Sequence, residues 1–269
     1  MFAPAKLNLA LHVTGRRPDG WHRLDSLAVF ADVGDTVAPG LRPGLTVSGP
    51  FAAAVPAGPD NLVLRAAALA GLARPRLHLV KRLPPASGMG GGTSDAAAVL
   101  RLLGARPPVA DLMRLGADLP LCLMAPQPAR LRGLGEQVEP IAGLPGLWLV
   151  LVNPGTPLPT PAVFRALARP DNPPLPDPLP AFRDGADLAD WLAQQRNDLE
   201  APARALEPGI DAALAALAAQ PGCRLARMTG SGATCFGIFA DRAARDAAAR
   251  RLARPGWWVA AAATLHAAP

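Results

Sequence analysis

Tyrosine is absent from this 269-residue chain, lysine occurs only at Lys6 and Lys81, and cysteine only three times. Cys122, Cys223 and Cys235 are odd in number and share no CxxC spacing. A disulfide framework and a zinc site are thereby excluded, and the cytosol is the expected compartment. No apolar run approaches the roughly 18–20 residues of a membrane span; the longest near the end, "WWVAAAATL", is strand-sized. The start, "MFAPAKLNLALHV", alternates where a secretory signal would set a basic end before an apolar block. Long runs of one charge are missing too. The net charge is +6, but the arginines are scattered and aromatics make up only 4% of the chain, so no nucleic-acid groove is expected. A generally basic surface suits a nucleotide or phosphorylated small molecule. A monomer or weak homodimer is expected.

What is abundant is alanine, arginine, glycine and proline. With lysine and asparagine so scarce, each one left is a better than average candidate for needed chemistry. Residues 3–13 alternate with period two: Leu7, Leu9, Leu11 and Val13 on one face, Lys6, Asn8, Ala10 and His12 on the other. This predicts a half-buried strand presenting Lys6 and Asn8 together. A turn at Pro18-Asp19-Gly20 leads to strands in "DSLAVFADVGDTV" and "LTVSG". Residues 60–73 predict a helix capped by Asp60 or Asn61, and 76–83 a strand. A helix is expected from Thr93 to about Leu103, then a short helix in "VADLMRLG", a hairpin, and a buried strand in "GLWLVLVNPG". Beyond the proline-rich stretch 154–180, helices are expected at 187–195, 198–206 and 210–219. A strand–loop–strand, a helix and a last strand close the chain. The pattern is that of a mixed α+β protein in two lobes, residues 1–153 and 154–269.

Between strand and helix lies "PPASGMGGGTSD", with Gly88, Gly90, Gly91 and Gly92. So much backbone freedom ahead of a helix costs folding entropy. It is explained if an anion must approach the backbone N–H groups at the helix N-terminus. The segment lacks the GK[ST] of a Walker loop and is no GxGxxG fingerprint. A tight turn with Thr93 or Ser94 as N-cap is the plainer alternative. A second glycine loop, "TGSGAT", stands between two strands and by itself reads as a hairpin turn.

Together these segments resemble a known family. "PPASGMGGGTSDAA" resembles the central glycine motif of the GHMP kinases, "APAKLNLALHVTGRRPDGWHRLDSL" their N-terminal motif, and "MTGSGATCFGIF" their C-terminal one, in the same order. "TGRRPDGWH", "PDNLVLRAA", "LGADLP", "PTPAVF" and "NDLE" are similar to one branch of that superfamily. The resemblance spans nearly the whole chain. It implies a two-lobed α+β GHMP kinase fold, with an N-terminal lobe like that of a small-subunit ribosomal protein and a C-terminal α/β-plait-like lobe. It also implies transfer of the ATP γ-phosphate, with Mg2+, to the 2-hydroxyl of a cytidine diphosphate substrate made for isoprenoid synthesis. Departures are Met89 where leucine is common, Thr93 where serine is, and Trp21 for the usual tyrosine. The stretch from Asp95 to Asp118 is about two helical turns short, which leaves its helix lengths open.

Carried onto these positions, the resemblance makes Asp118 the base and Lys6 its neighbour, holding that carboxylate and the γ-phosphate. Pro84, Pro85, Ala86, Ser87, Gly88, Met89, Gly90, Gly91, Gly92, Thr93 and Ser94 form the triphosphate loop, with the Ser94 hydroxyl facing Mg2+ and phosphate. Asp95 supports the helix start. Asn61 falls in the adenine pocket and Lys81 near the nucleotide. Trp21 and Phe164 would stack on the cytosine, with His22 and Asn8 reaching the base or phosphate and Thr160 lining the same pocket. No residue is assigned as a metal ligand. Two alternatives remain open: another GHMP small-molecule kinase of the homoserine or mevalonate type, and an inactive nucleotide-binding or basic nucleic-acid-binding protein.

Overall fold

The alternation at the start of the chain becomes strand β1 (Phe2–Arg16), paired antiparallel with β2 (His22–Pro39) across the expected turn. In the computed structural model, which describes residues 1–265, this pair is the spine of a six-stranded sheet. The other strands are β3 (Gly44–Ser48), β4 (Arg76–Val80), β5 (Ala129–Gly133) and β6 (Gln137–Pro140), in the order β3-β4-β2-β5-β6 with β1 on β2. Three register shifts interrupt the β1–β2 ladder, one of them between Asn8 and Ala10. Each adds local twist and re-aims side chains.

Helix α1 (Leu62–Leu69), α2 (Gly91–Leu102), α3 (Val109–Leu115) and α4 (Leu119–Leu123) cover one face of this sheet. Ala96, Ala97, Ala98, Val99 and Leu100 of α2 are all fully buried. A helix enclosed on so many sides needs small side chains to let its neighbours approach, which accounts for the alanine run.

The second sheet has the order β10-β7-β9-β8, from β7 (Trp148–Asn153), β8 (Cys223–Met228), β9 (Cys235–Phe239) and β10 (Trp258–Ala263). Helix α5 (Thr160–Arg165), α6 (Gly185–Ala193), α7 (Glu200–Leu206), α8 (Gly209–Ala218) and α9 (Arg242–Leu252) complete this half. By sheet membership β7 goes with the C-terminal half, although a division at 153/154 leaves it with the N-terminal lobe. Its pairing partners, β9 and β10, arrive only 80 or more residues later, and local pattern carries no signal of that.

The two sheets share a core. Leu7, Leu9, Leu27 and Val29 of the first pack with Leu149, Leu151, Phe236 and Ile238 of the second. Each such burial contributes about 1.5–3 kcal/mol. β1 is therefore buried on both faces along most of its length, not half-buried as its alternation predicts. Lys6, Asn8 and His12 are 4, 4 and 1% exposed, so their polar groups must find partners inside the protein. Among the described residues no helix is long and apolar enough to cross a membrane.

Candidate active site

The glycine segment packs more tightly than a turn requires. α2 begins at Gly91, two residues before the expected Thr93, with Gly90 as a left-handed N-cap (φ +63). Neither Thr93 nor Ser94 is the cap. The N–H groups of the helix's first turn have no partners within the helix, so they are free to meet an anion. The loop is held from two directions. The Lys6 N–H donates to Met89 O (3.0 Å), and the Thr234 N–H donates to Ser87 O (3.2 Å). Gly88 (φ +77) lies against the second glycine loop so closely that a Cβ would sit 2.6 Å from Thr229 O. "TGSGAT" is thus a buttress that only glycines permit.

At the mouth of α2, Lys6 Nζ lies 3.1 Å from Asp118 Oδ2. Asp118 is the N-cap residue of α4 but makes no capping bond, which leaves its carboxylate for the lysine. Lys6 also donates to Asn8 Oδ1 (2.8 Å); Asn8 Nδ2 donates to Ser26 Oγ (2.7 Å), and Ser26 Oγ to Ala10 O (2.7 Å). The Asn8 backbone N–H reaches across to Thr229 Oγ1 of the buttress (2.8 Å).

These groups line a cleft of about 850 Å³ whose walls include Gly90–Thr93, Lys6, Asn8 and Asp118. At its other end stand Trp21, His22, Thr160 and Phe164. The His22 and Phe164 rings stack with centroids 5.0 Å apart, while Trp21 is 63% exposed at the mouth. Burial, and to a lesser degree the nearby Arg16 guanidinium, push the His22 pKa down. Its ring is neutral at pH 7, with one nitrogen donating and one accepting. Thr160 and Ser231 share a hydroxyl–hydroxyl bond of 2.7 Å. Arg16 and Arg165 also line the cleft.

Two family models match the chain: GHMP kinases N terminal domain over residues 61–123 and GHMP kinases C terminal over 178–256. The chain is 60% identical to the 4-diphosphocytidyl-2-C-methyl-D-erythritol kinase of Paracoccus denitrificans, covering 96% of this chain and 94% of the relative. It is 57% identical to the same-named protein of Dinoroseobacter shibae, covering 96% and 92%. The chain belongs to the 4-diphosphocytidyl-2-C-methyl-D-erythritol kinase family. A crystal structure of 4-(cytidine 5'-diphospho)-2C-methyl-D-erythritol kinase superposes with a TM-score of 0.75 at 35% identity, covering 99% of both chains. Homoserine kinase from Cytophaga hutchinsonii, at 16% identity and a TM-score of 0.58 over 98% of this chain and 93% of its own, shares the fold alone.

Membership of this kinase family does not place every expected residue on the cleft. Lys81 is 3% exposed and its ammonium is locked between Asp35 Oδ2 (2.6 Å) and Asp95 Oδ2 (2.7 Å). Two buried carboxylates hold it away from the cleft wall. Ser94 is fully buried and its hydroxyl donates to Pro4 O (2.7 Å), so it is not part of the cleft wall. Thr93, which lines the cleft, takes the position expected of Ser94. Pro84, Pro85 and Met89 shape the loop from behind, Met89 being fully buried. Asn61 caps α1, accepting from the Val63 N–H (2.9 Å) and donating to Pro56 O (2.7 Å); only its neighbour Leu62 reaches the cleft. Asp95 supports the helix start through Lys81.

Some cleft residues escape sequence reasoning. Ser26 has one weak signal, a hydroxyl inside the apolar run "DSLAVF". Ser231 lies in the flagged second glycine loop, and Arg16 and Arg165 are lost among 25 arginines. Among the described residues no group of three or more His, Cys, Asp or Glu side chains is placed to hold a metal ion.

Proposed function

We propose that this chain transfers the γ-phosphate of ATP to the 2-hydroxyl of 4-diphosphocytidyl-2-C-methyl-D-erythritol, in the non-mevalonate route to isoprenoids. The observation that carries the reading is the Lys6–Asp118 pair, 3.1 Å apart, set beside the open N-terminus of α2. Phosphoryl transfer needs placement and charge stabilisation more than covalent chemistry. The first-turn N–H groups of α2 hold the phosphates. Lys6, already bonded to Asn8 and Asp118, directs its third N–H at the transferred group. Asp118 accepts the proton of the attacking hydroxyl, worth about 10²–10⁴-fold in rate.

Mg2+ asks for oxygen ligands. Thr93 and Asp118 present side-chain oxygens beside the glycine turn, a set that fits an ion held mainly by the nucleotide. When bound, it neutralises phosphate charge. At the far end, Phe164 and Trp21 stack on the cytosine and the neutral His22 ring bonds its edge. The paired Thr160 and Ser231 hydroxyls line the same wall. We place the enzyme in the cytosol as a monomer or weak homodimer.

The test is an ATP-consumption assay with the full substrate and with methylerythritol phosphate lacking cytidine. Turnover is expected only with the former. Phe164→Ala should raise KM for the cytidine substrate about 5- to 150-fold, one stacking contact being worth roughly 1–3 kcal/mol. KM for ATP should move less than about two-fold, since the base lies far from the transferred phosphate. The exposed Trp21 gives a smaller effect on alanine substitution. Equal turnover without cytidine, or a loss confined to ATP, overturns the reading.

A further inference from the structure

The buried hydrogen-bond chain below Lys6 has a direction. We infer that Ser26 is a positioning residue for phosphoryl transfer, acting through Asn8 on Lys6; the inference rests on the catalytic reading of Lys6 and Asp118. Ser26 is 1% exposed and its hydroxyl has a single hydrogen, donated to Ala10 O at 2.7 Å. Toward Asn8, 2.7 Å away, the hydroxyl oxygen can therefore only accept. That requires the amide nitrogen of Asn8 to face Ser26 and the amide oxygen to face Lys6, at 2.8 Å.

The reversed amide would set two N–H donors of Asn8 against an ammonium that has only donors. It would also face Ser26 with an oxygen whose bond must take the hydrogen from Ala10. Inside a protein such a mismatch leaves a desolvated donor or acceptor unpaired, which disfavours that rotamer strongly. Ser26 thus removes the amide's freedom to rotate and gives Lys6 a fixed acceptor. One ammonium hydrogen goes to Asn8 and one to Asp118, and the third is aimed into the cleft. The anchor itself is firm. Ser26 lies on β2 opposite Leu11, and the Asn8 backbone is tied to Thr229.

The decisive experiment exploits the symmetry of a carboxylate. Ser26→Ala should lower kcat about 10-fold, with KM for ATP within two-fold and a cooperative melt retained. Asn8→Asp offers Lys6 an oxygen whichever way the group is turned. On that background no amide choice remains, so Ser26→Ala should lower kcat by a clearly smaller factor than it does in the wild type. Ser26→Thr keeps the hydroxyl and suits a strand; it should stay within about three-fold of the wild type. If Ser26→Ala does not fold, Ser26→Cys keeps the volume with a weak donor and should show the same loss of kcat and the same suppression by Asn8→Asp. An equal loss on both backgrounds, or no loss in the single variant, overturns the inference. Failure of the catalytic reading is distinguishable, because Asp118→Asn would then keep its activity.

Discussion

The chain's two lysines stand beside adjacent glycines of one turn. A Cβ on Gly90 would lie 3.3 Å from Lys6 Cε, and one on Gly91 3.0 Å from Lys81 Nζ. Lys6 meets one carboxylate, Asp118, whose side chain is 36% exposed in the cleft. Lys81 meets two, Asp35 and Asp95, with side chains only 0 and 4% exposed. Asp35 is further committed to the backbone N–H groups of Arg82 (2.6 Å) and Leu83 (2.9 Å). Burial pushes the Lys81 pKa down, but Asp95 and Asp35 outweigh it and hold the ammonium above its usual value. Distance to the glycine turn therefore does not separate a lysine that lines the cleft from one that is buried. What separates them is whether the partners are buried acids or a carboxylate still open to the cleft.

The comparison is broken most forcefully at Lys81. Lys81→Met leaves two buried carboxylates facing each other without a cation. Removing one member of a buried charge network costs about 3–5 kcal/mol, readable by urea denaturation. Turnover per folded molecule should change little; a loss of kcat at unchanged stability would place Lys81 in the chemistry. Gly91→Val belongs with this variant. Its side chain would press on Lys81 Nζ, so it should lower the melting temperature as well as ATP affinity.

Asp118→Asn tests the other lysine's partner. It keeps shape but loses charge and proton acceptor. kcat should fall at least about 100-fold, with ATP affinity and melting temperature nearly unchanged. A fall of only a few-fold would remove Asp118 from the role of base.

A last variant sharpens the contrast through pH. Burial raises the Asp95 pKa from 3.8 to about 7, opposed by Lys81 and reinforced by Asp35. Its Oδ1 has no hydrogen-bond partner, so burial of the charged form is only partly offset, and the folded state takes up this proton at higher pH than the unfolded chain does. Because the folded protein binds this proton more tightly than the unfolded chain, stability falls with rising pH. Asp95's contribution is complete below about pH 4 and lost by passage through about 7. Asp95→Asn should flatten that slope in denaturation midpoints measured from pH 4 to 8. An unchanged slope would show that Asp95 is ionised throughout.

Much of the site was legible in the residues, for reasons that differ along the chain. The glycine loop was visible because backbone approach leaves a compositional trace, and Lys6 and Asn8 because a strand puts alternate residues on one face. The Lys6–Asp118 pairing came from family resemblance; no spacing rule links positions 112 residues apart. The side chains of Lys81 and Ser94 turn out to be buried and bonded away from the cleft for a shared reason. Both lie within residues of the loop, but side-chain direction depends on what packs behind it. Trp21 and Phe164 were expected to stack on the cytosine; that His22 stacks on Phe164 had no signal in the sequence.

The sequence by itself determined the periodicities, the glycine-rich helix start, and membership in a kinase family. These rest on local stereochemistry or on motifs read in order. Only the tertiary structure decided that β1 is buried on both faces, that the second glycine loop braces the first, and which lysine faces the cleft. Those outcomes depend on a core shared by two sheets. Burial forces each polar group to find a partner, and the partners arrive from strands and loops far along the chain, as Thr229 does for Asn8, 221 residues away.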